Sequence, residues 1–188
     1  METVKIRCEN NGKEVLINKG SSLGEIAALL SLRNRYPFIA AYVNNRSEDL
    51  NDRIYEPKSI RFIDATHFEG ARVYQRTLFF VLYKAVRDLY PEAVLKIQHS
   101  LGRGFYFVLE GAETGEKTAA RLKERMHELV DADLPIERDI VYRDDAENYY
   151  ADDSDKLRLI NTRRHLYVTV DTMADVHGYL YGTLAPSS

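Results

Sequence analysis

The chain has 188 residues, 45% of them hydrophobic and 29% charged, with a net charge of −3 at neutral pH. That length holds one ordinary domain or two small ones, the composition excludes a disordered chain, and the charge is too mild to argue for a nucleic-acid partner. Cys8 is the single cysteine, so an internal disulfide and a cysteine-based metal cluster are both excluded. The N-terminal METVKIRCEN alternates charged and apolar residues where a signal peptide needs an unbroken apolar core. The longest apolar run, LFFVLY at 78–83, is too short to cross a bilayer, so a cytoplasmic location and no membrane partner are expected.

VKIRC (4–8) and EVLIN (14–18) alternate apolar and polar residues around the turn signal Asn10-Asn11-Gly12, which predicts a β-hairpin. Ser22 and Glu25 have capping-box spacing, and Leu23, Ile26, Ala27 and Leu30 fall on one helical face behind them. FIAAYV (38–43) and SIRFID (59–64) predict two further strands, giving a small sheet crossed by one helix. Thr66–Gly70 reads as a linker. Tyr74, Leu78, Val81, Leu82, Ala85 and Leu89 then repeat at helical spacing until Pro91. LKI (95–97) and GFYFVL (104–109) predict strands joined by a glycine-containing loop, and Ala119, Leu122, Met126, Leu129 and Val130 a second amphipathic helix. IERDIVY, HLYVTV and YLYGTL are the remaining predicted strands, the last at 179–184. Without a βαβ rhythm, the order predicts an α+β fold rather than a doubly wound sheet.

The segments GSSLGEIA, AYVNN, Asp49-Leu50 and EPKSIRFID together resemble a TGS domain, a ubiquitin-like β-grasp module, over residues 1–65. The resemblance implies an appended ligand- or RNA-contacting module and carries no catalytic motif. Over 66–188, five segments in order resemble the editing-type second domain of threonyl-tRNA synthetases: KAVRDLYPEAVLKI, GFYFVLEG, KTAARLKERMHELVDADLPIERDIV, RDDAENYYADDSDKLRLI and GTLAPSS. This implies an α/β sandwich of the synthetase-editing type.

In that family an H-x-x-x-H on the first helix and a C-x-x-x-H near the end converge on one pocket with metal-type ligands. The resemblance places Arg76 and Phe80 at the histidine positions, and Leu180 and Leu184 at the cysteine and histidine positions. A guanidinium, a benzene ring and two aliphatic chains offer no lone pairs to such a site. No metal and no catalytic residue are therefore expected. Arg76 could instead hold a carboxylate or phosphate of a small effector, against the plainer reading of an ion pair.

Other patterns are weaker. GAETGEKT (111–118) invites comparison with a P-loop, but the second glycine would fall at Glu116, where a carboxylate repels phosphate. Asp144, Asp145, Glu147, Asp152, Asp153 and Asp155 lack the spacing of a calcium loop and read as a solvated edge. His99, beside Gly102, Arg103 and Gly104, has the best claim to a binding loop, with a structural turn as the plainer reading. Arg163-Arg164, and Lys117 with Arg121 and Arg125, could contact phosphates, although ordinary exposed faces are the default.

The resemblance as a whole is to the paired domains found in front of the P-loop in some bacterial uridine or nucleoside kinases. It implies a non-catalytic binding or regulatory region whose partner is a C-terminal kinase-type domain, with ATP and Mg confined to that domain beyond residue 188. RNA is not favoured on this reading. The alternative is an RNA-binding fragment of a threonyl-tRNA synthetase-like protein, and a further rival is a residual hydrolase built on His99 and a nearby carboxylate.

Overall fold

The computed structural model describes residues 2–102, 104–151, 153–162 and 165–188. The chain is a mixed α/β protein that divides into two compact units. One comprises Met1–Thr77, Ile136–Arg138 and Leu180–Ser187; the other comprises Leu78–Pro135, Asp139–Tyr179 and Ser188. Among the described residues no helix is long and apolar enough to cross a membrane.

In the first unit, β1 (Thr3–Cys8) and β2 (Glu14–Asn18) form the predicted hairpin, with Lys5 opposite Leu16. Short strands β3 (Ser21–Ser22) and β6 (Arg53–Ile54) pair with each other. The main sheet also takes β4 (Phe38–Val43), β5 (Arg46–Glu48) and β7 (Ser59–Asp64), in the order β2-β1-β7-β4-β5. β1 and β7 run parallel, whereas β4 and β7 are antiparallel. Helix α1 (Leu23–Leu29) starts on the expected capping box: Ser22 Oγ accepts the Glu25 amide at 3.1 Å and the Glu25 carboxylate accepts the Ser22 amide at 2.8 Å. Leu23 and Ile26 of α1 pack with Ile6, Cys8, Ile17, Ile60 and Phe62 from the sheet. Each such side chain contributes about 2 kcal/mol on leaving water.

Helix α2 spans Phe68–Leu89, so most of the predicted linker is helical. Gly70 sits inside that helix because a Cβ there would lie 1.9 Å from the Asp64 carbonyl oxygen. Val73 of α2 packs with Ala40 and Ile63 on the other side of the sheet.

In the second unit, β8 (Val94–Leu101) and β9 (Gly104–Glu110) make a two-stranded ribbon. Helix α3 (Glu116–Asp131) follows, then β10 (Ile136–Tyr142), whose first three residues belong to the first unit. Helices α4 (Arg143–Tyr149) and α5 (Ser154–Thr162) precede β11 (Tyr167–Met173) and β12 (Val176–Gly178). The sheet order is β10-β11-β12. Ala146, Tyr150 and Ile160 from the two short helices pack with Val168 and Val170 of β11.

Two further sequence expectations need correction. Residues 179–184 are not a strand: regular pairing stops at Gly178, and the following backbone bonds to side chains instead. His99 is not in a loop. It lies on β8, cross-strand from Tyr106, just past a bulge between Ile97 and His99. The connection is only two residues long, with Gly102 at φ +60°. Arg103 lies outside the described residues, as do Asp152, Arg163 and Arg164.

Candidate functional site

Helical geometry puts Arg76 and Phe80, four residues apart on α2, on one face. In the first unit Arg76 meets the C-terminal segment. Its Nη2 donates to Glu69 Oε1 at 2.7 Å, and its Nη1 reaches the Tyr181 carbonyl at 3.4 Å. Arg76 Nε is buried without a hydrogen-bond partner among the described residues. Gly182, at φ +114°, lies so close that a Cβ would stand 1.9 Å from Arg76 Nη1. Leu184 is buried, and its amide donates to Asp49 Oδ1 at 2.8 Å. Leu180 is half-buried. Phe80 is buried in the second unit. Arg76 and residues 181–182 thus come together around an ion pair within α2's own first turns. No cluster of His, Cys, Asp or Glu suited to a metal ion exists among the described residues.

The second unit holds a cavity that the sequence reading missed. It is about 610 Å³ and is lined by Tyr83 and Arg87 of α2, Tyr149 and Tyr150 around the end of α4, Lys156 of α5 and His177 of β12, among others. Asp153 starts α5 by accepting the Lys156 amide at 3.0 Å. Lys156 Nζ then donates to Tyr83 Oη at 2.9 Å and pairs with Asp153 at 3.1 Å. It also stands 4.2 Å from the Tyr83 ring centre and 5.3 Å from that of Tyr150. The Tyr149 and His177 rings meet edge to face at 4.8 Å. Tyr150 Oη donates to the Gly178 carbonyl at 2.7 Å. Burial, followed by the negative charge of Asp171, raises the Tyr150 pKa far above the ordinary phenol range.

Beneath this cavity runs a chain of charges. Lys84 is buried; burial opposes its charge, but hydrogen bonds to Asp175 and Asp88 outweigh that and raise its pKa. The Lys84 hydrogen bond correspondingly lowers the pKa of Asp175. Asp88 also accepts from Arg125, which bonds Glu128 at 2.6 Å. These pairs tie α2 to α3 and to the β11–β12 turn. The Lys156 cavity draws on α2, α4, α5 and β12, so its one sequence trace was the Asp153–Lys156 spacing at a helix start.

The His99 ring lies 5.4 Å from that of Tyr106 on an exposed ribbon, without a carboxylate partner among the described residues. Lys117 and Arg121 line a separate cleft of about 510 Å³ with Tyr90, and Arg121 stands 5.4 Å from the Tyr90 ring centre. Gly115 and Glu116 simply begin α3 there. Asp144 and Asp145 occupy the first turn of α4, and Asp155 that of α5, where carboxylates suit the positive end of the helix.

The fold and cavities define a mixed α/β chain with an aromatic, lysine-centred pocket. No protein-family model matches it. It is 28% identical to a threonine–tRNA ligase of Rubrobacter xylanophilus over 189 residues, covering 100% of this chain and 29% of that protein. It is 30% identical to a threonine–tRNA ligase of Clostridium novyi over 141 residues, covering 74% of this chain and 22% of that protein. With a threonine–tRNA ligase of Ligilactobacillus salivarius it shares 28% identity over 85% of its length and 25% of the relative's. The chain spans less than a third of the length of these curated relatives.

These relatives overturn the expectation of a uridine- or nucleoside-kinase parent, since they are named threonine–tRNA ligases. The C-terminal kinase-type partner, the small-molecule effector expected with it and the preference against RNA fall on the same finding. Lost ligands at four positions specify no neighbouring domain, so Arg76, Phe80, Leu180 and Leu184 carry no information about the parent protein.

Proposed function

We propose that this chain is the front region of a threonyl-tRNA synthetase-like protein and that it contacts tRNA. The observation that carries this reading is similarity to a threonine–tRNA ligase along the whole chain. On this reading residues 1–65 are a TGS-type β-grasp domain, supported by the parallel β1–β7 pair at the sheet centre and by α1 packed across it. Residues 66–188 are a domain of the editing type. Its usual ligand positions hold Arg76, Phe80, Leu180 and Leu184, so a metal-type site has no donors there.

The Lys156 cavity is the surface best equipped for an unpaired nucleotide. Tyr149 offers a ring for stacking, and Arg87 and Lys156 keep N–H donors beyond those given to Pro91, Tyr83 and Asp153 for phosphate or sugar oxygens. The lining sets Arg87 and Lys156 beside Asp153, Asp155 and Asp175, so stacking of a base rather than a net positive field carries this assignment. Fluorescence-anisotropy titration of labelled tRNA with wild type and Lys156→Met tests the assignment. Loss of Lys156 is expected to weaken binding about tenfold, in line with one stacking or charged contact. Equal affinity of the two proteins would remove the cavity from the account.

A further inference from the structure

Residues 180–187 carry no helix or extended strand, yet side chains between 44 and 136 positions away hold them in the first unit. Asp49, only 7% exposed, accepts the Leu184 amide on Oδ1 at 2.8 Å and Arg138 Nη1 on Oδ2 at 2.6 Å. Arg138 Nη2 donates in turn to the Gly182 carbonyl at 2.6 Å. Thr77 Oγ1 accepts the Ala185 amide at 2.8 Å, and Ser47 Oγ donates to Thr183 Oγ1 at 3.0 Å. The Ile136 amide donates to the Pro186 carbonyl at 2.9 Å. Apolar anchoring comes from Leu184, 1% exposed, and from Ala185 beside Ala40, Ile63 and Val73. Tyr181 is 85% exposed.

A segment gripped mainly by hydrogen bonds, with one fully buried aliphatic side chain, opens at far lower cost than a sheet with a continuous core. Asp49 is a strong hold, because bonds to an ionised group are about twice as strong as neutral ones, and the short Arg138–Gly182 bond that it orients is charged as well. Asp49 acts on the segment twice, directly through Leu184 and indirectly by orienting Arg138 toward Gly182. We infer that residues 180–187 form a strap latched by Asp49, which opens as a unit while the β1–β7–β4 sheet stays folded. Opening releases Arg138 and Arg76 from the Gly182 and Tyr181 carbonyls while their carboxylate partners Asp49 and Glu69 remain. The strap is independent of the tRNA reading and stands or falls without it.

Hydrogen–deuterium exchange of the full chain, read at the level of single amides, tests the strap. In wild type the Leu184 and Ala185 amides are expected to exchange at least tenfold faster than those of Ile6 and Phe62. Asp49→Asn should accelerate residues 183–185 by a further tenfold or more and leave β1 and β7 unchanged. Thr77→Val, which keeps the shape but removes the acceptor of the Ala185 amide, should give a smaller rise confined to the same residues. It keeps the test decisive if Asp49→Asn does not fold. Equal exchange of strap and sheet in wild type, or a rise shared by strap and sheet in Thr77→Val, would overturn the strap. So would unchanged strap exchange in a folded Asp49→Asn protein.

Discussion

Replacing Gly70 by alanine sets two effects of opposite sign against each other. In an ordinary helix interior the change stabilises by about 1 kcal/mol, because glycine loses more backbone freedom on folding. At this position the new methyl would stand 1.9 Å from the Asp64 carbonyl oxygen and 2.8 Å from its carbon. An unstrained C···O contact is about 3.3 Å or more, so α2 or the end of β7 must move by over an ångström. Neither moves freely: the Asp64 carbonyl accepts the His67 amide, and the Asp64 carboxylate binds Thr66 and Asn34. Overpacking of this kind costs about 1–3 kcal/mol, and the rigid backbone on both sides puts this case at the upper end. The net expectation is a loss of about 2 kcal/mol, or a fall of about 1 M in urea midpoint followed by far-UV circular dichroism. Gly115→Ala is the steric control, since nothing lies within 4 Å of its Cβ position, and it should cost no more than about 1 kcal/mol, the amount by which alanine is the poorer helix N-cap. A Gly70→Ala protein as stable as wild type, or more so, would refute the close approach of α2 to β7.

Ser22→Ala should cost about 1 kcal/mol in chemical denaturation by removing half of the capping box on α1. Tyr150 has a folded-state pKa raised above the ordinary 10.0, so its contribution is full below pH 10 and is lost as pH rises beyond it. Tyr150→Phe is therefore expected to flatten the fall in stability above pH 10, while costing about 1 kcal/mol at neutral pH for the lost bond to Gly178. Elemental analysis of protein purified without chelator should find no stoichiometric transition metal. One zinc per chain, lost on Arg76→Ala, would mean that the four positions are misassigned.

What the sequence disclosed and what it hid follow the range of the interactions. The first hairpin and α1 rest on a glycine turn and a capping box, signals confined to a few neighbouring residues, and both formed as expected. The strand pattern at 95–97 ends early in the sequence because the bulge after Ile97 breaks the alternation, which hides the place of His99 on β8. The 179–184 stretch alternates like a strand, but its backbone partners are Asp49 and Arg138, which no local pattern announces. Gly70 looked like a linker because its reason, the Asp64 carbonyl, belongs to the preceding strand. The Lys156 cavity needs tyrosines from α2 and α4 beside a lysine on α5, a meeting that only the tertiary fold arranges.

Direct binding tests the proposed contact of this chain with tRNA most plainly. Anisotropy titration of labelled tRNA-Thr, intact or trimmed of its unpaired 3′ end, should be run at two salt concentrations with the wild-type chain. Saturable binding that weakens with salt is expected, as phosphate contacts require, with affinity falling about tenfold or more when the unpaired end is removed. No binding at either salt concentration, or equal affinity for the trimmed and intact RNA, would contradict the proposed contact.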